Sequence, residues 1–249
     1  DRVPADYPAA AVPHHLRGSV EVRARVDATG MVSEVRVTRG GPPLAAAAAD
    51  AVRWYVFRPA TAGGRPVAAW TSVAVPFAPP AEDPPPLSPD PRALALDAER
   101  RGAWREAMDA WTGALERVGS HPAYRNPWAI QAAALRAAAR QPHWPVVPAD
   151  ARLQAHEAWD LAQRTTASVA LAANAKEFTD ALRIAPWFGD CYRWLACALA
   201  GSGRRYDAMR ALRLYAQAAP DSGAAGRAAT ALRQLAAGDT LSASETLKW

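Results

Sequence analysis

The chain is short of the residues that carry most protein chemistry. Among 249 residues there are two cysteines, three methionines, four phenylalanines and five histidines. Cys191 and Cys197 lie on one expected helix, point to different faces and are too far apart to bridge. They leave the redox compartment open. There is no HExxH, no CxxC, no phosphate-loop glycine pattern and no nucleophile elbow. His14 and His15 are neighbours and diverge on a helix, and His121, His143 and His156 are scattered, so no metal and no cofactor is expected. Carboxylates sit mostly beside arginines in helical or linker contexts, which disfavours an enzyme. No uncharged apolar run comes near the roughly 18 residues of a membrane span. Because the chain begins at Asp1, a signal peptide, an anchor helix or a longer N-terminal part is expected ahead of it.

Half of the residues are apolar, with alanine dominant, which favours thin, closely packed helices. Ten tryptophans supply much of the large apolar area. The net charge is +5, and all but two of the 29 basic residues are arginine. These arginines are spread along the chain without a run of like charge. That distribution fits a compositional bias rather than a nucleic-acid surface, and no nucleic-acid partner is expected.

The N-terminal third reads as a small α+β unit. Pro8 suits the first turn of a short helix, and Gly18 ends or bends it. Residues 19–27 alternate, with Val20, Val22, Ala24 and Val26 on one face and Glu21, Arg23 and Arg25 on the other. Ala28-Thr29-Gly30 turns the chain into a second strand, 31–39, with Val35 and Val37 inward. Residues 44–56 read as a helix whose stripe is Leu44, Ala48, Ala51, Val52 and Tyr55. Pro59 stops that helix, and Gly63-Gly64 permits a tight reversal. Val67, Ala69, Thr71, Val73, Val75 and Phe77 then recur at period two, as in a half-buried strand. Prolines after Phe77 leave nothing to extend the sheet, so this strand is a candidate edge, and edges recruit partners.

An ordered set of residues resembles the C-terminal domain of the TonB family of energy transducers. Tyr7-Pro8 and Gly18-Ser19-Val20 open it, and Val26-Asp27-Ala28-Thr29-Gly30-Met31-Val32 forms the hairpin. Ala51 through Ala60 leads to Gly64-Arg65-Pro66-Val67, and Val73-Ala74-Val75-Pro76-Phe77 closes it. The resemblance covers residues 5–78 and implies a periplasmic domain with a three-stranded antiparallel sheet and two helices. It also implies that the last strand pairs with an extended segment of an outer-membrane protein. The anchoring helix and long proline-rich spacer of that family do not precede the domain here, and a further domain follows it.

Residues 79–92 hold most of a proline-rich linker, with seven prolines between Ala78 and Arg92. A helical domain is expected over 93–238 and a polar, frayed tail over 239–249. Ile184-Ala185-Pro186 recurs as Ala218-Ala219-Pro220, 34 residues on. With Tyr192, Leu195, Gly203, Tyr206 and Leu212 between them, the domain resembles tetratricopeptide-repeat proteins. In that register Trp159 lines the concave groove beside His156 and Gln163, with Arg193 and Arg92 as its equivalents. This mixture suits peptide recognition. Trp159 suits a core position equally well.

These readings favour a periplasmic module that captures protein segments by strand addition and by the repeat groove. One alternative is an energy transducer anchored to the inner membrane by a segment outside this chain. Another is a structural scaffold that captures nothing. Membrane association would come only through such an anchor or through a partner.

Overall fold

The computed structural model describes residues 1–218 and 222–248. The chain divides into two compact units, Asp1–Ala93 with Gly113–Ile130, and Leu94–Thr112 with Gln131–Trp249.

The first unit is built around β1 (Gly18–Val26), a strand buried on one face at every second residue. It pairs antiparallel with β2 (Val32–Arg39) on one side and with β5 (Ala69–Phe77) on the other, giving the order β2-β1-β5. The hairpin turn follows from Asp27, whose carboxylate accepts from the Thr29 amide at 2.8 Å, the Thr29 hydroxyl at 2.6 Å and the Met31 amide at 3.1 Å. Helix α1 (Leu44–Val52) packs Ala47, Ala48, Ala51 and Val52 against β1 and β2. It is shorter than the expected 44–56. Beyond Arg53 the chain is held another way: Val56 bridges to Met31, and Trp54, Tyr55 and Val56 are all buried. The short helix expected after Pro8 is a 3-10 turn, Ala9–His14. Two small strands, β3 (Ala60–Ala62) and β4 (Arg65–Val67), flank Gly63 and Gly64, both at positive φ of 54° and 75°. Two residues with positive φ form the tight reversal that their sequence suggested. Val35 and Val37 stand opposite Ala24 and Val22, on the inward face as expected, but Val35 is only half-buried and Val37 is 39% exposed because β2 is an outer strand of the sheet with no neighbour on its far side among the described residues.

The architecture is therefore α+β, with a three-stranded antiparallel sheet followed by many helices. The helices are α2 (Pro91–Arg101), α3 (Trp104–Leu115), α4 (Pro127–Ala139), α5 (Ala149–Gln163), α6 (Ser168–Ile184), α7 (Gly189–Gly201), α8 (Arg205–Ala218), α9 (Ser222–Ala237) and α10 (Thr240–Leu247). From α5 to α9 each helix packs on the next. Helix α7 is the centre of this unit, with Cys191, Tyr192 and every residue from Trp194 to Ala200 buried. Gly203, at φ 83°, makes the turn into α8. Helices α5, α7 and α9 begin at 149, 189 and 222. The repeat triplet around Ala219 and Pro220 lies outside the described residues.

The expected frayed tail is instead α10. Asp239 caps it by accepting from the Ser242 amide at 3.0 Å. Ala243, Ser244 and Leu247 fall at i, i+1 and i+4 and bury one face against α7 and α9. A polar composition was read as disorder, but three inward residues suffice when two helices already form the groove.

Candidate functional site

The site rests on which backbone groups of β5 are already used. Hydroxyls of Thr38 and Ser33 in β2 reach the carbonyls of Glu21 at 3.2 Å and Arg25 at 3.1 Å. Odd-numbered residues of β1 therefore turn their carbonyls toward β2, and even-numbered ones face β5. In the register Val20↔Val75 and Val22↔Val73, the groups of Val73 and Val75 are spent on β1. Those of Trp70, Ser72, Ala74 and Pro76 point the other way. Pro76 agrees, since a proline within a ladder keeps its nitrogen on the unpaired side. Among the described residues no strand pairs with that side of β5.

The side chains follow the same period. Val73, Val75 and Phe77 are buried in the core, Ala69 and Thr71 are half-buried, and Val67 belongs to β4. Five of the six residues expected to bind a partner thus lie on the β1-facing set of β5, while their alternates border the free edge. Trp70, Ser72, Ala74 and Pro76 were missed although the period-two pattern contained them as the complementary set. Trp70 opposes Arg25 and lies with its ring under the guanidinium groups of Arg36, at 4.8 Å, and Arg23, at 5.2 Å. This ties all three strands together on the outward face.

Residues 3–79, spanning β1 through β5, match the family model described as the Gram-negative bacterial TonB protein C-terminal. They form a TonB C-terminal domain. Neither the curated proteins nor the solved structures hold a match to the chain. The TonB C-terminal family belongs to the Gram-negative envelope and engages proteins of the outer membrane. No described helix is long and apolar enough to cross a membrane.

Arg92, one of the expected groove residues, lies in the same unit as the TonB C-terminal domain. Its guanidinium donates to Asp6 at 2.5 Å and stands 5.3 Å over the ring of Tyr124. Asp6 is 4% exposed, and its carboxylate also accepts from the amides of Arg125 at 2.5 Å and Asn126 at 2.9 Å. The Tyr124 hydroxyl donates to Asp90, and burial together with that bond pushes its pKa far up. Trp54 stacks on Trp128 at 6.4 Å. The segment 120–128 is thereby fastened to the domain.

In the helical unit, His156 and Gln163 are exposed on α5 and Arg193 is half-buried on α7. Trp159 is buried, stacked on Trp194 at 5.6 Å with Arg193 5.3 Å above its ring. Arg193 also donates to the Leu247 carbonyl at 2.7 Å. Trp194 gathers His156 at 4.9 Å and Phe188 at 5.5 Å. His156, Trp159 and Arg193 therefore share one aromatic cluster, and Arg92 lies in the other unit. Trp194 and Phe188 were missed. Trp194 immediately follows Arg193, but a buried aromatic on a helix carries no signal that separates it from ordinary core. Among the described residues no three metal-ligating side chains come together.

Proposed function

We propose that this chain is an envelope protein-binding module whose TonB C-terminal domain captures an extended segment of a partner by adding it to β5. The carrying observation is the unpaired side of β5, a nine-residue strand with its other side fully engaged by β1. Main-chain hydrogen bonds supply the affinity in this mode, and outward side chains tune it. The segment comes from an outer-membrane or other envelope protein, in a periplasmic setting. In this reading the chain binds and performs no chemistry. The helical unit contributes a second surface, with His156, Gln163 and Arg193 presented around the Trp159–Trp194 stack.

Ala74→Pro tests it. The substitution removes an amide hydrogen that faces the free side, so it spares the β1 ladder, as Pro76 already does. The variant should fold with near-native unfolding temperature and lose capture of an alternating threonine–valine octapeptide. Val73→Pro strikes the β1-facing groups and should unfold the domain. Native folding of Ala74→Pro with undiminished peptide capture contradicts strand addition.

A further inference from the structure

Helix α10 lies in a groove between α7 and α9 in the second unit. With eight residues it is too short to stay helical by itself, so the groove holds its shape. The groove meets it with polar hooks. Arg193 of α7 donates to the Leu247 carbonyl at 2.7 Å, one of the carbonyls that a helix end leaves unpaired. The Ser244 hydroxyl donates to the Cys197 carbonyl of α7 at 3.2 Å, and the Thr246 hydroxyl donates to the Gln234 side chain of α9 at 3.0 Å. These hooks suit a helix, yet α10 buries little apolar surface with them. Ala243 and Leu247 are its two fully buried apolar residues, while Leu241 is 73% exposed. A recess of about 60 Å³ adjoins Ser244, bordered by Leu171, Gly201, Leu241, Thr165 and Thr166. Glu245 and Lys248, the charged residues on it, pair with each other. The recess thus suits an apolar group of about two water volumes.

We propose that the α7–α9 groove is a docking site for a short amphipathic helix of a partner protein, and that α10 occupies it in cis as a weaker version of that helix. The partner's helix keeps an alanine-sized residue where α10 has Ala243, which is fully enclosed, and leucine where it has Leu247. In place of Ser244 it carries leucine, so that a carbon takes the hydroxyl's position and two methyl groups enter the recess. The Cys197 carbonyl stays satisfied, since it lies within the α7 ladder. The connection Gly238-Asp239 is only two residues long, so α10 competes at a high effective concentration. A partner helix must bind more tightly than α10 to enter, which makes α10 a threshold against weak ligands. The inference concerns the second unit and is independent of strand addition to β5.

The test uses the full chain with Ala243→Asp and Leu247→Asp, which turn the two buried apolar positions of α10 against the groove and leave α7 and α9 intact. Reaction of Cys197 with a disulfide reagent reports the release, because Ser244 covers that sulfur at 3.4 Å. Labelled peptides of residues 239–248, native and Ser244→Leu, are the probes in anisotropy titrations. Both should bind the released chain and protect Cys197, the leucine peptide about tenfold tighter, the size of burying two methyl groups. The native peptide should bind the parent chain at least about tenfold more weakly than the released one. A released chain that keeps its native circular dichroism, reacts at Cys197 and binds neither peptide overturns the docking groove. Equal affinity of the two peptides overturns the leucine-bearing partner, and equal binding to parent and released chains overturns occupancy in cis. A second measurement does not depend on the release. Ser244→Leu in the otherwise unaltered chain should slow amide exchange in α10 about tenfold, and exchange that quickens there overturns the fit to the recess.

Discussion

Replacing Asp6 should loosen the first unit more than any other single polar change in it. Its carboxylate accepts from the Arg92 guanidinium and from the amides of Arg125 and Asn126, the latter 119 and 120 residues away in sequence. Asp6→Ala leaves two backbone donors without an acceptor and a guanidinium without its counter-ion. Removing one partner of a buried, hydrogen-bonded pair costs about 3–5 kcal/mol in all, the unpaired donors included. The side chain of Arg92 is 24% exposed, so water recovers part of its loss, and a total near 3–4 kcal/mol follows by that discount. Asp6→Asn keeps one oxygen for the two amides and loses the charge and the acceptor for Arg92, which should cost about half as much. At about 5 °C per kcal/mol for a unit of this size, the first calorimetric transition should fall by about 15–20 °C for Ala and about 5–10 °C for Asn. Amide exchange at Arg125 and Asn126 should quicken in the Ala variant. An Asp6→Ala transition within a degree or two of the parent, with those amides still slow, refutes the role assigned to the carboxylate.

Gly30→Ala should destabilise the sheet by at least about 2 kcal/mol. Gly30 has φ +92°, and an added Cβ would stand 2.2 Å from the Phe57 carbonyl oxygen, while the Gly30 carbonyl is already bound by the Phe57 amide at 2.8 Å. Urea unfolding measures this, and a loss below about 0.5 kcal/mol contradicts it. Burial raises the pKa of both thiols, Cys191 strongly, so at pH 8 neither should react with a disulfide reagent in the native chain. Truncation after Gly238 removes α10, whose Ser244 covers the Cys197 sulfur at 3.4 Å. That thiol should fall back toward its ordinary pKa and react. Cys191, on the Phe178 carbonyl at 3.5 Å, should stay silent. Two reacting thiols, or none, count against the packing of α10.

Local periodicity made much of the fold legible. The alternation of Val20, Val22, Ala24 and Val26 specifies β1, and Asp27 with Gly30 specifies its turn, because each acts over a few residues. The degree of burial on the outermost strand was not legible: Val37 has the alternation of a core residue and stands opposite the buried Val22, yet its place on an outer strand leaves it 39% exposed. Nor was the Asp6 cluster, since nothing in Asp6-Tyr7-Pro8 points to amides more than a hundred residues away. Arg92 was read as a groove residue by repeat register, whereas its charge is held by Asp6. In the site itself, the alternating pattern identified the strand but selected its inward face. Val73, Val75 and Phe77 at period two mark what the core keeps, and the residues that border the free edge are those that alternate with them.

Amide hydrogen exchange along β5 with the alternating threonine–valine octapeptide bound tests the central claim most directly. If the peptide adds to the free side, exchange at Ser72 and Ala74 slows on binding, while Val73 and Val75, already bonded to β1, stay as slow as before. Binding without protection at Ser72 and Ala74, or with protection at the outer side of β2 instead, would contradict capture at this edge.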